Sequence, residues 1–147
     1  RRFTHIFSYQ KKDFYDDYAH HPTEIKSVLE SVKAVYKKRK IISVFQPHRY
    51  SRVKSLKEEF SKSFLDSDEV VLCPVYAAGE KIDKKFNLVN FGQQISKNSK
   101  KQVVIVNDKT ELLKYFIRNL TDDEIIICMG AGSISSWLRE IAHDLKR

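Results

Sequence analysis

Glycine is scarce in this sequence, occurring only as Gly79, Gly92, Gly130 and Gly132. Neither a GxxxxGK[ST] phosphate loop nor a GxGxxG dinucleotide loop can be written from those positions, so any nucleotide chemistry must borrow its phosphate cradle. Cysteine is limited to Cys73 and Cys128, both inside apolar runs. That pattern excludes a disulfide-stapled scaffold and reads as two buried, reduced thiols packing as small hydrophobes. Long apolar runs are also missing. The longest, Val70 to Ala78 (interrupted by Pro74) and Ile125 to Met129, fall far short of the roughly 20 residues of a membrane helix, so neither a transmembrane span nor a membrane partner is expected. The chain opens Arg-Arg-Phe-Thr-His with no starting Met and no apolar signal core, which points to a piece of a longer protein and gives secretion no support.

What is present is enough for one domain. With 147 residues, 41% of them hydrophobic and 12% aromatic, the chain can bury a real core, which argues against disorder. Lys+Arg number 27 against 19 Asp+Glu, and the resulting charge of +8 fits a nucleic acid, an anionic metabolite or a lysine-rich solvated surface equally well. The basic clusters at Lys37-Lys38-Arg39-Lys40, at Lys81 with Lys84-Lys85, and at Lys97 with Lys100-Lys101 all lie between apolar elements. No aromatic-interleaved strand pair accompanies them, so nucleic acid is not the expected partner. A free-standing basic nucleic-acid-binding module is the contrasting reading, and salt-dependent retention on DNA would reveal it.

Hydrophobic periodicity alternates between strand and helix. Phe3, His5 and Phe7 alternate with polar residues, and with Asp13 to Asp17 they predict a short antiparallel ribbon. Pro22 stands at a favourable first helical position, and Ile25, Val28, Leu29, Val32 and Val35 extend a helix to about residue 37. Ile41 to Phe45 reads as a strand covered on both faces, followed by one helix through Val53, Leu56, Phe60 and Phe64. Further strands are expected at Val70 to Val75, Val103 to Val106 and Glu124 to Met129, with a weaker helix over Phe91 to Asn98. Asp108 and Glu111 form a capping box ahead of Leu112, Leu113, Phe116, Ile117 and Leu120, and Ile134 to Leu145 closes the chain as a helix. The fold class is therefore α/β: a Rossmann-like, doubly wound, mostly parallel sheet with helices on both faces and a short antiparallel amino-terminal ribbon.

Ligands in such sheets bind beyond the carboxyl ends of the strands, and here those loops are polar. Asp16 and Asp17 end a strand, where a carboxylate can accept both hydroxyls of a ribose or simply tie a turn. His20 and His21 precede Pro22 at a helix amino terminus that favours anions; adjacent histidines are expected to diverge, so no metal site is assigned to them. Arg49 and Arg52 are three apart at a helix start, hence on one face, where two guanidinium groups could grip a carboxylate or phosphate. Ser51 and Ser133 lack a nucleophile triad and read as helix caps.

Four of these segments occur together and in order: Asp16-Asp17-Tyr18-Ala19-His20-His21-Pro22-Thr23-Glu24, Phe45-Gln46-Pro47-His48-Arg49-Tyr50-Ser51-Arg52, Val75-Tyr76-Ala77-Ala78-Gly79-Glu80 and Met129-Gly130-Ala131-Gly132. In this combination the chain, from Arg1 to Arg147, resembles the carboxy-terminal domain of the UDP-N-acetylmuramate:L-alanine ligases of the Mur ligase family. The resemblance implies a cytoplasmic, ATP- and magnesium-dependent enzyme of peptidoglycan synthesis. In it ATP phosphorylates the carboxylate of UDP-N-acetylmuramate, and the amine of L-alanine then attacks the acyl phosphate. It also implies that the amino-terminal UDP-binding domain and the central ATPase domain, absent from this chain, are its partners, and that the isolated domain is inactive. Carried over residue by residue, the resemblance places Asp17 on the ATP ribose, and His20, Arg49 and Arg52 beside the amino acid and the tetrahedral intermediate. Tyr18, His21 and His48 become supporting residues. Ser133 departs from the acidic residue common after Met-Gly-Ala-Gly. The murein-peptide ligases, which attach a tripeptide to UDP-N-acetylmuramate, share the Asp-Asp-x-Ala-His-His-Pro element and form the alternative, but Gln46 to Arg52 fits the alanine ligases better.

Overall fold

The computed structural model describes residues 2–146, so Arg1 and Arg147, the ends of the expected domain, lie outside the described residues. Six strands form one sheet: β1 (Thr4–Tyr9), β2 (Lys12–Asp17), β3 (Ile41–Phe45), β4 (Glu69–Leu72), β5 (Gln102–Ile105) and β6 (Ile125–Met129), in the spatial order β1-β2-β6-β3-β4-β5. β1 pairs antiparallel with β2 as the expected ribbon, and every other pairing is parallel. The helices are α1 (Pro22–Val35), α2 (Tyr50–Ser55), α3 (Lys57–Ser61), α4 (Leu88–Ser99), α5 (Lys109–Asn119) and α6 (Ile134–Leu145).

The continuous apolar strands follow from coverage on both faces, because alternate side chains enter two separate cores. Ile42 and Val44 of β3, Val71 of β4 and Ile126 and Cys128 of β6 pack with Leu112 and Phe116 of α5 and Leu138 and Ile141 of α6. Their neighbours Ile41, Phe45, Val70, Leu72, Ile125, Ile127 and Met129 pack on the opposite face with Ile25 and Leu29 of α1, Phe60 of α3 and Phe91 and Ile95 of α4. Cys73 and Cys128 are buried and free, and burial pushes the Cys73 thiol up to about 12, so both behave as the inert apolar groups expected.

Several boundaries depart from the periodicity. The single helix expected through residues 53 to 64 is two, broken at Leu56, whose ψ of 23° leaves the helical path with no glycine or proline to mark the break. The strand expected to reach Val75 stops at Leu72, and α1 stops at Val35. The capping box at Asp108 is displaced by one residue: Asp108 accepts the Glu111 N–H at 2.8 Å, but the Glu111 carboxylate takes the N–H of Asn107 rather than that of Asp108.

The ribbon is anchored through Phe14, which is fully buried, stacked on Phe7 at 4.2 Å and edge-on to Phe116 at 4.9 Å. Replacing it empties the seam between ribbon, sheet and α5. Phe14→Ala is expected to lower the unfolding free energy of this chain by about 3 to 5 kcal/mol, measured by denaturant titration.

Candidate functional site

Parallel register fixes where the site forms. Asp17 lies beside Met129, and Met129 beside Phe45, so the loops after β2, β6 and β3 leave the sheet at one level. The Gly130 N–H continues the ladder to the Asp17 carbonyl, and the Gln46 N–H to the Met129 carbonyl. Gln46 then turns inward. Its buried side-chain carbonyl accepts the Ile134 N–H at 3.0 Å, capping α6, while its amide donates to Ser133 Oγ at 2.8 Å. Ser133 therefore makes no side-chain cap of its own, contrary to expectation; Gln46, 88 residues before Ile134, supplies it. Space for that arrangement requires Gly132, because a Cβ there would overlap the Tyr76 ring and lie 2.9 Å from Gln46 Oε1.

The loops after β3 and β4 are joined by a parallel bridge between His48 and Tyr76: Tyr76 N–H donates to Pro47 O and Arg49 N–H to Tyr76 O, each at 2.8 Å. This bridge places Arg49 outside α2, at φ 70° and ψ 128°, a left-handed φ that is costly for a residue with a Cβ. The expectation that Arg49 and Arg52 share a helix face is thus corrected, since only Arg52 is helical. They flank His48 instead. Arg52 Nη1 donates to His48 Nδ1 at 2.9 Å, and Arg49 Nε meets the Glu80 carboxylate at 3.5 Å. Ser51 is likewise no cap: it lies inside α2, and its hydroxyl donates to Glu80, which also accepts the Ser51 N–H.

The third loop brings Tyr18, His20 and His21. The His20 ring lies 5.2 Å from Tyr18, 4.9 Å from His21 and 5.6 Å from His48, so the adjacent histidines approach each other rather than diverge. Glu24 in the first turn of α1 accepts the N–H groups of both His20 and His21. Burial raises the Glu24 carboxyl, but those bonds and the two histidines outweigh it and leave it below the usual carboxylate range.

Hydrogen-bond roles assign the tautomers. An arginine only donates, so His48 Nδ1 is an acceptor and the proton of the neutral ring is on Nε2. A carbonyl only accepts, so His20 Nδ1, 3.0 Å from Tyr18 O, carries the proton and leaves Nε2 with a lone pair. Burial lowers the His48 pKa, and the charges of Arg52 and Arg49 lower it further. The edge therefore offers a neutral N–H donor, a ring nitrogen that can take a proton, and two guanidinium groups.

Asp17 stands at the other side of this edge, 5% exposed, its two oxygens accepting the Phe3 and Ala19 N–H groups at 2.8 Å each. It lines a cavity of about 860 Å³ that continues past Tyr18 and Thr23 along α1 to Tyr36. Asp16 points to the opposite core, where Ser135 Oγ donates to it at 2.6 Å, and so it is separate from the site. Sequence reasoning missed Gln46, Tyr76 and Glu80 as site-building residues; each lay inside a quoted motif, but only contacts across loops give them roles.

Two outcomes follow. A histidine whose folded pKa is depressed binds its proton more weakly than in the unfolded chain, so His48 costs stability as pH falls below about 6.5 and adds none above it. NMR titration is expected to show His48 less than half charged at the pH where an ordinary histidine is half charged. Gly132→Ala is expected to shift the Tyr76 and His48 ring resonances together, because the new methyl group displaces the ring that His48 stacks on at 5.7 Å.

The family model described as Mur ligase, glutamate ligase domain, matches residues 1–132. Curated relatives named UDP-N-acetylmuramate--L-alanine ligase include one from Pelagibacter ubique, 50% identical over 141 residues, covering 96% of this chain and 30% of that protein. Another, from Fusobacterium nucleatum, is 42% identical over 131 residues, covering 89% of this chain and 27% of that protein. This chain thus spans about 30% of the length of the relatives it matches. Among solved structures, a UDP-N-acetylmuramate-alanine ligase from Thermotoga maritima superposes with a TM-score of 0.77 at 28% identity, covering 99% of this chain and 30% of that one. A murein peptide ligase from Psychrobacter arcticus superposes at 0.78 with 16% identity over 99% of this chain and 30% of its own, a likeness of fold alone. Matched by one family model over nearly its whole length, with its polar loops gathered at one sheet edge, the chain belongs to the Mur ligase family.

Proposed function

We propose that this chain is the carboxy-terminal domain of an ATP-dependent ligase that joins L-alanine to UDP-N-acetylmuramate. The observation that carries the reading is the convergence of His20, His48, Arg49 and Arg52 around one strand edge, where the carboxylates of Glu24 and Glu80 accept N–H and O–H groups. Such an edge receives anions. The substrate at this step is a small amino acid whose carboxylate is its main handle, since its methyl group contributes only about 0.8 kcal/mol on burial.

In this reading Arg49 and Arg52 hold the alanine carboxylate and the negative charge that develops as the amine attacks the muramoyl acyl phosphate. The amine must lose a proton to become an amide, and the Nε2 lone pair of His20 is placed to accept one. His48, kept neutral, supplies an Nε2–H donor, while Tyr18 and His21 bound the pocket. Asp17 takes the ATP ribose. Its oxygens each accept one backbone bond and keep a further lone pair, and the cavity it lines has room for a nucleoside. Magnesium and the triphosphate belong to a different part of the enzyme, because no phosphate loop can be written here. The partners are then the UDP-binding and ATPase domains of the same enzyme, onto which this domain closes when substrates bind. A cytoplasmic setting supplies the ATP and suits two unpaired thiols, and no described helix is long and apolar enough to cross a membrane.

The test is made in the intact ligase. Arg49→Lys and Arg52→Lys keep the charge and lose the planar fork, so each is expected to lower kcat/KM for L-alanine about tenfold while leaving KM for ATP unchanged. Wild-type efficiency in both variants would return the arginines to the surface and remove the basis of the reading. The isolated chain is expected to fold without ligase or ATPase activity.

A further inference from the structure

We propose that Glu80 is the positioning residue for Arg49, holding its guanidinium so that the forked edge faces the amino-acid carboxylate; this rests on the reading above. Arg49 has few internal constraints. It precedes a helix in a left-handed conformation, and its side chain is 45% exposed, so an untethered guanidinium would sample many rotamers. Glu80 comes from the neighbouring loop and touches Arg49 at Nε, 3.5 Å away. Neither terminal nitrogen of Arg49 makes a hydrogen bond among the described residues, so N–H groups that can pair with a carboxylate are left open.

Glu80 is itself held. Ser51 donates both its N–H and its hydroxyl to the two carboxylate oxygens, and the Glu80 side chain is only 18% exposed. The Ser51 bonds lower the pKa of this carboxylate below the usual range. The His48–Tyr76 bridge fixes the spacing of the two loops, so the carboxylate is presented to Arg49 from a defined direction.

Charge alone predicts the opposite role. A carboxylate beside a receptor for carboxylates repels the ligand, and if attraction were all that mattered, removing Glu80 would tighten alanine binding. Positioning predicts that removing it weakens binding. The sign of the effect therefore separates the two.

In the intact ligase, Glu80→Ala is expected to raise KM for L-alanine about fivefold, with kcat within about twofold and KM for ATP and melting temperature unchanged. Ser51→Ala, which loosens the carboxylate without changing charge, is expected to shift the same constant in the same direction by less. In an Arg49→Ala background, Glu80→Ala is expected to have no further effect on KM for L-alanine, because its target is gone. An unchanged or lowered KM in Glu80→Ala, an undiminished effect in the Arg49→Ala background, or parallel losses in ATP binding and melting temperature would each overturn the proposal while leaving the arginine clamp standing. If Arg49→Ala alone leaves KM for L-alanine unchanged, the clamp itself fails, and the role of Glu80 fails with it.

Discussion

Parallel pairing of β6 between β2 and β3 sets Asp17, Met129 and Phe45 side by side. From that row the chain leaves the sheet three times, toward the histidine pair, the glycine turn and the arginine loop. Three segments separated by tens of residues thus begin from one level, tied by the Gly130 and Gln46 N–H groups to the neighbouring strands. Were β6 at an edge instead, these loops would emerge at separate points and no shared receptor could form.

Buried polar chemistry then completes what register begins. Gln46 is buried at the end of β3, where an unpaired amide would be costly, and it is satisfied by Ile134 N–H and Ser133 Oγ. That single side chain ties the start of α6 to the loop carrying His48. Gly132 is the small residue that lets Tyr76 approach the same point. The result is a rigid floor under a polar, partly exposed surface, the division expected of a site that must exchange substrates while keeping its geometry.

Electrostatics at this edge is also layered. The arginines are held by uncharged or singly charged partners, His48 for Arg52 and Glu80 for Arg49, rather than by a full set of carboxylates that would cancel them. His48 is kept neutral by burial and by its cationic neighbours. Its acids Glu24 and Glu80 are held in place by backbone and hydroxyl donors.

The sequence by itself determined the class of fold and which polar loops lie at the carboxyl ends of the strands. Apolar runs at 41 to 45 and 125 to 129 suited strands covered on both faces, the periodic faces of α1, α5 and α6 were readable apart from Val35 and Ile117, which are exposed, and the polar motifs fell at strand ends. The family resemblance rested on those same motifs. Other matters were decided by tertiary structure alone. The break at Leu56 has no local signal, and the conformation of Arg49 is imposed by hydrogen bonds from a loop some thirty residues distant. Helical spacing therefore misjudged how Arg49 and Arg52 face each other. Ser51 and Ser133 looked like caps because serine usually caps, yet Glu80 and Gln46 claim them from elsewhere in the chain. Periodicity reports which face of an element is apolar; it carries no information about which distant partner a polar side chain will meet, and that pairing is what makes the site.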